Sequence, residues 1–408
     1  MKNIMHIQKK NSSLYKKSKF YQEERRSRML LAAGLAGALL LVIVLLAGIR
    51  SCTSSAATAP DKTDVGSEAR TEASQEDTET DTEEASGEWP AEPVSLTVSV
   101  VGDCTLGTDE AFDYSTSLNA FYEENGPSYF LQNVKTIFAE DDLTIANFEG
   151  TLTDSDEREE KEFAFKAPAE FARILSEGSV EAVTTANNHS HDYGDQGFSD
   201  TMSALDSQGI THFGYDETAV IDVKGIKVGL VGIYELKDHL ERTQQLKDNI
   251  AKVKEEGANL VIVIFHWGNE KEDIPDDNQI TLGHLAIDEG ADLVCGHHPH
   301  VVQGIEKYNG KYIVYSLGNF CFGGNAYPSD MDTMIYQQTF TVTPEGVQED
   351  DDFNIIPCSI SSWDYGNNYQ PTPSEGSEAQ RILDKINERS SWISTEGGSP
   401  ALFTETIQ

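Results

Sequence analysis

The chain has 408 residues, with 69 Asp and Glu against 30 Lys and Arg, and a formal net charge of −39 at pH 7. The charge is unevenly spread, +8 over residues 1–50, −10 over 51–93 and −37 over 94–408, so the body of the protein repels nucleic acid and anionic lipid headgroups and suits an exposed, soluble domain. Five cysteines, at 52, 104, 295, 321 and 358, form no CxxC and no metal-type pairing, which leaves no disulfide framework and no thiolate metal site to expect.

Residues 1–28 carry nine Lys or Arg against two Glu and read as a basic cytoplasmic N-terminus. Residues 29–49 are 21 consecutive uncharged, mostly apolar positions, enough for one transmembrane helix across a hydrocarbon core of roughly 30 Å. The positive-inside bias then places the main domain outside the cell, anchored to the cell membrane in a single pass. A cleaved signal peptide, or a lipoprotein version of it at Cys52, is the competing reading. Against it, the apolar run exceeds the roughly 7–15 residues of a signal core, and Ile49, Arg50 and Ser51 make a poor cleavage site. Residues 51–93 are rich in Ser, Thr, Ala and acid and read as a disordered linker that holds the domain off the membrane.

From Val94 the pattern alternates between strands and helices. Strands are predicted over 95–102, 142–148, 181–187, 210–214, 219–234, 259–267, 292–296 and 312–318, and helices over 128–140, 168–178, 197–209, 242–257 and 278–290. Four of these helices end at or near Gly178, Gly209, Gly257 and Gly290, the residue suited to a left-handed C-cap. Strand–helix–strand order implies crossovers and a largely parallel sheet with both faces covered. The later hairpin-like runs GIEKYNGKYIVYSL and MIYQQTFTVTPEGVQ predict a second, mixed or antiparallel sheet packed on the first. The expected fold class is therefore α/β, a layered sandwich over residues 94–363. Residues 364–408 read as a polar C-terminal tail with one amphipathic stretch, 379–393, that can form a short packed helix.

Chemistry-bearing residues gather where apolar strands end, the edge at which open α/β sheets bind ligands. Asp103 closes VSVVGDC. In LTIANFEG, Asn147 and Glu149 are two apart and share one side of an extended strand, with Phe148 turned to the core. AVTTANNHSHDYG supplies Asn188 and His189, with His191 a bystander; so many polar groups at the end of a buried strand require a metal or an ordered network. The alternative for that block is an Asn-rich turn capping the next helix. VIVIFHWGNE delivers His266, and Glu270 stands ready to orient an imidazole from behind. In GHHPH, His298 and His300 have the i, i+2 spacing that lets both rings face one centre on extended backbone stiffened by Pro299, and His297 can substitute for either. Ser316 and Asn319, in YSLGNF, are available to line the pocket.

Hard oxygen donors mixed with neutral imidazoles suit one or two divalent ions, Mn, Fe, Zn or Mg, better than a thiolate site would. Such ions clamp a phosphoryl oxygen and lower the pKa of a bound water. His189, left off the metal, would protonate the leaving oxygen.

With these blocks in place, the chain resembles the CapA-type poly-γ-glutamate capsule biosynthesis proteins, a branch of the calcineurin-like metallophosphoesterase superfamily. The resemblance runs from Val94 to Trp363 through GDCTLG, ANFEG, ANNHSHDYG, HWGNE and GADLVCGHHPHVVQGIEKYNGKYIVYSLGNF. It implies a four-layer αββα sandwich and a place in the synthesis or export of an anionic polyglutamate capsule. It also implies a first metal held by Asp103, Glu149 and His300, a second held by Asn188, His266 and His298, and His189 as the catalytic histidine. Two departures bear on the first metal: Cys104 and Thr105 follow Asp103 where a D-x-H is usual, and Asn147 with Glu149 replaces a bridging Asp. The implied partners are the membrane, polyglutamate synthase membrane subunits, and polyglutamate or a phosphorylated small molecule as ligand. A metal-dependent hydrolase, a non-catalytic scaffold subunit of the synthase, and a surface metallophosphatase unrelated to capsule are all open. A domain of charge −37 grips polyglutamate only through bound cations or a basic patch, for which Lys161, Lys166 and Lys307 are the candidates.

Overall fold

The computed structural model describes residues 89–349, 351–393 and 398–400. The basic N-terminus, the span expected at 29–49 and residues 51–88 of the linker lie outside them. Among the described residues no helix is long and apolar enough to cross a membrane.

Among the described residues eighteen strands follow in chain order: β1 (Val94–Thr105), β2 (Leu143–Glu149), β3 (Thr151–Leu152), β4 (Lys166–Ala167), β5 (Ala182–Thr184), β6 (Thr211–Phe213), β7 (Ala219–Val223), β8 (Ile226–Tyr234), β9 (Leu260–His266), β10 (Leu293–His297), β11 (Ile305–Tyr308), β12 (Lys311–Val314), β13 (Asn319–Phe322), β14 (Asp332–Thr343), β15 (Gly346–Val347), β16 (Phe353–Ser359), β17 (Thr372–Pro373) and β18 (Gly398–Pro400). One sheet runs β17-β16-β14-β1-β2-β5-β6, with β13 also on β1 and β15 on β14; the second runs β18-β11-β12-β10-β9-β8-β7; β3 and β4 pair by themselves. The first sheet was expected to be largely parallel and the second mixed or antiparallel; the second is mixed as expected, and so is the first. Each sheet has a parallel centre, β1, β2, β5 and β6 in one and β8, β9, β10 and β12 in the other, with antiparallel strands at its edges.

Strand alternation sorts the side chains into layers. Leu96, Val98, Val100, Leu143 and Ile145 of the first sheet meet Val228, Leu230, Ile262, Ile264, Leu293 and Cys295 of the second in one core. The opposite face of the first sheet, with Val101, Ala146 and Val183, buries Phe138, Leu175 and Leu205 from the helices Lys135–Glu140, Arg173–Glu177 and Gly194–Ser207. The outer face of the second, with Val231, Val261, Val263 and Val294, takes Leu246, Ile250, Val253 and Leu282 from Thr243–Glu255 and Asp277–Asp288. The result is a sandwich of two sheets with helices on both outsides. Each Leu or Ile so buried contributes roughly 1.5–3 kcal/mol.

Of the segment read as a tail, residues 364–393 pack into the molecule, and the amphipathic stretch lies mostly in a helix. Its helix, Gly376–Ser391, places Ile382, Leu383 and Ile386 in the core between the sheets, and Ser390 Oγ accepts from the Ile305 N–H at 2.9 Å. Gly209, Gly257 and Gly290 do adopt positive φ after their helices. Gly178 does not: its φ is −88° and the left-handed residue is Ser179. A Cβ at 178 would lie 2.3 Å from Leu131 Cδ1, so glycine is required there for space.

Candidate metal centre

The parallel strands of both sheets deliver their C-terminal ends to one rim. On the first sheet Asp103 is in register with Asn147 of β2 and with Asn319 of β13, and Thr105 with Glu149. β13 comes this close because residue 102 is glycine; a Cβ there would sit 2.1 Å from the Gly318 carbonyl oxygen, to which the Asp103 N–H donates at 2.9 Å. On the second sheet His297 is in register with His266.

The amides organise the cluster. Asn147 Nδ2 donates to Asp103 Oδ1 at 2.8 Å and lies 3.3 Å from His266 Nδ1, while its Oδ1 accepts from Asn187 Nδ2 at 3.0 Å. His266 Nε2 and Asn188 Oδ1 are 2.7 Å apart. His300 Nδ1 stands 3.2 Å from Asp103 Oδ2 and 2.9 Å from Asn319 Oδ1. Thr105 Oγ1 donates to Glu149 Oε2 at 2.9 Å, and Glu149 Oε1 faces His266 Nε2 at 3.8 Å and His189 Nε2 at 4.0 Å. The His298 ring centroid is 4.8 Å from that of His266 and 5.7 Å from that of His300.

Asp103, Glu149 and His300 each offer a donor atom within 4.8 Å of the others. Burial raises the Asp103 carboxyl, but the His300 hydrogen bond and the His300 and His297 charges overcome it and hold the group below the ordinary range. Glu149 goes the other way, pushed up by burial and by Asp103. Burial also lowers His300, yet the Asp103 hydrogen bond and the two carboxylates lift it to about 9. Burial and neighbouring imidazoles depress His266 well below its usual value, and burial with His300 takes His298 down to about 3. Two close carboxylates therefore share one imidazolium, beside neutral imidazoles.

Glu149 Oε1 and His298 Nδ1 are buried with no hydrogen-bond partner. An unmet carboxylate oxygen and an unmet imidazole nitrogen are costly in a protein interior unless something cationic meets them. The donor set, oxygen and imidazole together, fits a divalent ion.

Of the residues singled out in the sequence, Asp103, Asn147, Glu149, Asn188, His189, His266, His298, His300 and Asn319 come together. Three do not fill the roles expected. His297 donates from Nε2 to the Val101 carbonyl at 2.9 Å and tethers the two sheets. Ser316 Oγ donates to the Val301 carbonyl at 2.7 Å and accepts from the Gly318 N–H, holding its loop and not lining the pocket. Glu270 is exposed at the mouth and acts on His300 only through its charge; amides and Asp192 orient the imidazoles instead. Nor is the His298–His300 backbone extended. Both residues have positive φ, 94° and 56°, a conformation that costs a non-glycine residue on the order of 1 kcal/mol or more and collects at functional sites.

Sequence reasoning missed Asp192 and Asn187. Asp192 Oδ2 accepts from His189 Nδ1 at 2.8 Å, and Lys161 Nζ binds Asp192 Oδ1 at 2.5 Å and the Asn188 carbonyl at 2.6 Å. The signal available was the His-x-x-Asp spacing within one turn. Lys161 is thus committed, and so are Lys166, which pairs with Asp156, and Lys307, which pairs with Asp351. Each of the three already has an acidic partner.

Residues 97–324 match the family model described as "Bacterial capsule synthesis protein PGA_cap". The "PGA biosynthesis protein CapA" of Bacillus subtilis is 30% identical over 248 residues, 56% of this chain and 63% of that one. The "Capsule biosynthesis protein CapA" of Bacillus anthracis is 28% identical over 253 residues, 56% of this chain and 60% of its own. A "Probable polyglutamine synthesis accessory protein MT0602" of Mycobacterium tuberculosis is 26% identical over 210 residues, covering 44% and 55%. The chain thus spans less than two thirds of the length of these curated relatives.

Proposed function

The chain belongs to the bacterial capsule synthesis family PGA_cap, and from that premise we propose that it serves poly-γ-glutamate capsule synthesis or export from outside the cell, as a membrane-anchored, divalent-metal hydrolase of phosphoesters with a metallophosphoesterase-like fold. The observation that carries the reading is the buried pair Asp103 and Glu149, with one imidazolium between them and an unpartnered oxygen on Glu149. Asp103, Glu149 and His300 would hold one ion; Asn188, His266 and His298 form a second position beside it. When bound, such ions polarise a phosphoryl oxygen and make water a nucleophile at neutral pH.

The protein's own groups supply the rest. Asn147 fixes Asp103 and the His266 ring from one amide. Asp192, itself pinned by Lys161, holds the His189 Nδ1 proton and leaves Nε2 turned toward Glu149 and the adjoining recess. When Nε2 carries a proton as well, it is placed to hand that proton to a leaving oxygen and is left as the free ring nitrogen. The neutral state of His266 and His298 keeps their ring nitrogens available as donors of electron pairs.

A second reading is a non-catalytic accessory subunit of a polyglutamate synthase complex. The word "accessory" in the mycobacterial relative's name and the amide at residue 147 in place of a bridging carboxylate favour it. Elemental analysis of the purified protein, with turnover of a generic phosphodiester measured with and without chelator, decides between them. The hydrolase binds metal, and His189→Ala abolishes turnover with fold and metal content intact. A protein without metal, or one indifferent to chelator, is the scaffold.

A further inference from the structure

A recess of about 770 Å³ opens beside the metal centre, its inner wall formed by His189, His300 and Asn319. Its outer walls are aromatic: Phe112, Phe163, Phe165, Phe322 and Tyr327. The rings are tilted, Phe112 against Phe163 at 49° and against Phe165 at 51°, so they present separate faces and edges and no parallel slot for a flat base. Thr108 also lines the recess, and its buried hydroxyl has no hydrogen-bond partner.

The charge there is wrong for a polyanion. Glu270, Asp113 and Asp330 line the recess with one lysine, Lys271, and His300 at its inner wall; Asp330 is paired with Lys385, which leaves Glu270 and Asp113 facing the opening in a domain that is already acidic. A chain of glutamates would meet net repulsion along these outer walls. Aromatic faces with interspersed hydroxyls and carboxylates suit the opposite kind of guest, a neutral ring with apolar C–H faces and a rim of hydroxyl donors.

Resting on the hydrolase reading above, we propose that the recess binds the sugar ring of a glycosyl phosphate, whose phosphate then lies at the metal centre, and that it excludes polyglutamate. Phe163 and Tyr327, 43% and 62% exposed, form the outer stacking faces; Thr108 reads a ring hydroxyl further in.

The test uses the full chain and begins without metal, so that it does not depend on the hydrolase reading. Saturation-transfer NMR with methyl glucoside on metal-free protein should show transfer to the ring C–H protons. Phe163→Ala and Tyr327→Ala, both at exposed positions, should each reduce it severalfold with the circular dichroism of the protein unchanged. Oligo-γ-glutamate should show none. Calorimetry on Mn²⁺-loaded protein should then give glucose 1-phosphate about tenfold tighter binding than glycerol 3-phosphate, the worth of one buried ring face. Absence of transfer from the glucoside, transfer indifferent to both substitutions, equal binding of the two phosphates, or transfer from oligo-γ-glutamate overturns the proposal. If chelation leaves both phosphate affinities unchanged while the glucoside still binds at Phe163 and Tyr327, the metal reading fails and the recess stands.

Discussion

The two sheets bring different chemistry to the same rim. The first ends in acid and amide, Asp103, Asn147 and Glu149; the second ends in imidazole, His266, with His298 and His300 just beyond β10. Apart, one edge would carry unpaired carboxylates and the other bare rings. Packed together, they reach partial balance, and the remaining deficit is the unmet oxygen of Glu149. The candidate metal centre at this rim is therefore a property of the interface between sheets, and whatever separates the sheets dismantles it.

The largest expected effect comes from that interface. Ile264 is fully buried between the sheets two residues before His266, and Ile264→Ala should cost about 2–5 kcal/mol in urea unfolding through the cavity it leaves. Mn²⁺ affinity should fall with it; unchanged affinity in the folded variant would separate the site from the interface.

Next come the two carboxylates, which should part in sign. Asp103→Asn removes the partner of a buried imidazolium and should destabilise the metal-free protein by about 3 kcal/mol. Glu149→Gln relieves repulsion with Asp103 and should stabilise the metal-free protein by on the order of 1 kcal/mol. Both should weaken Mn²⁺ binding at least tenfold. Denaturation with and without Mn²⁺ reads both effects at once, and equal signs would break the proposed imbalance.

The smallest effect lies at the far end of β2. Asp141, half-buried, is pushed up to about 6 by burial and by Asp142, although Thr144 Oγ1 donates to it. Its folded pKa lies above the unfolded value of 3.8, so the native state holds the proton more tightly. Stability is greatest below about pH 4, declines as pH rises toward 6 and is level above. Asp141→Asn should flatten that decline, worth on the order of 1 kcal/mol, and leave Mn²⁺ affinity untouched; a change in affinity would show that the two rims communicate.

The strands carrying the site were legible because each is a run of β-branched residues ending abruptly in polar ones, as at VIVIFH and LVCGHH. Which strand neighbours which was not, since alternation reports burial and not pairing, and so the division of parallel strands between two sheets escaped. The left-handed turns at His298 and His300 were hidden because non-glycine residues there give no local signal. Lys161 and Asp192 meet across a loop without periodicity. The helix Gly376–Ser391 was half legible: the narrow stripe of Ile382, Leu383 and Ile386 among charges marks an amphipathic element that can be buried, but not which surface it covers.

That last helix sets an order of events. Its three aliphatic side chains complete an interior begun by Leu96 and Val98, nearly three hundred residues earlier, so a nascent chain lacking it leaves the flanks of Ile305 and Ile355 wet. The protein stays incompletely closed until that helix has emerged, and during that interval it depends on being kept from aggregating.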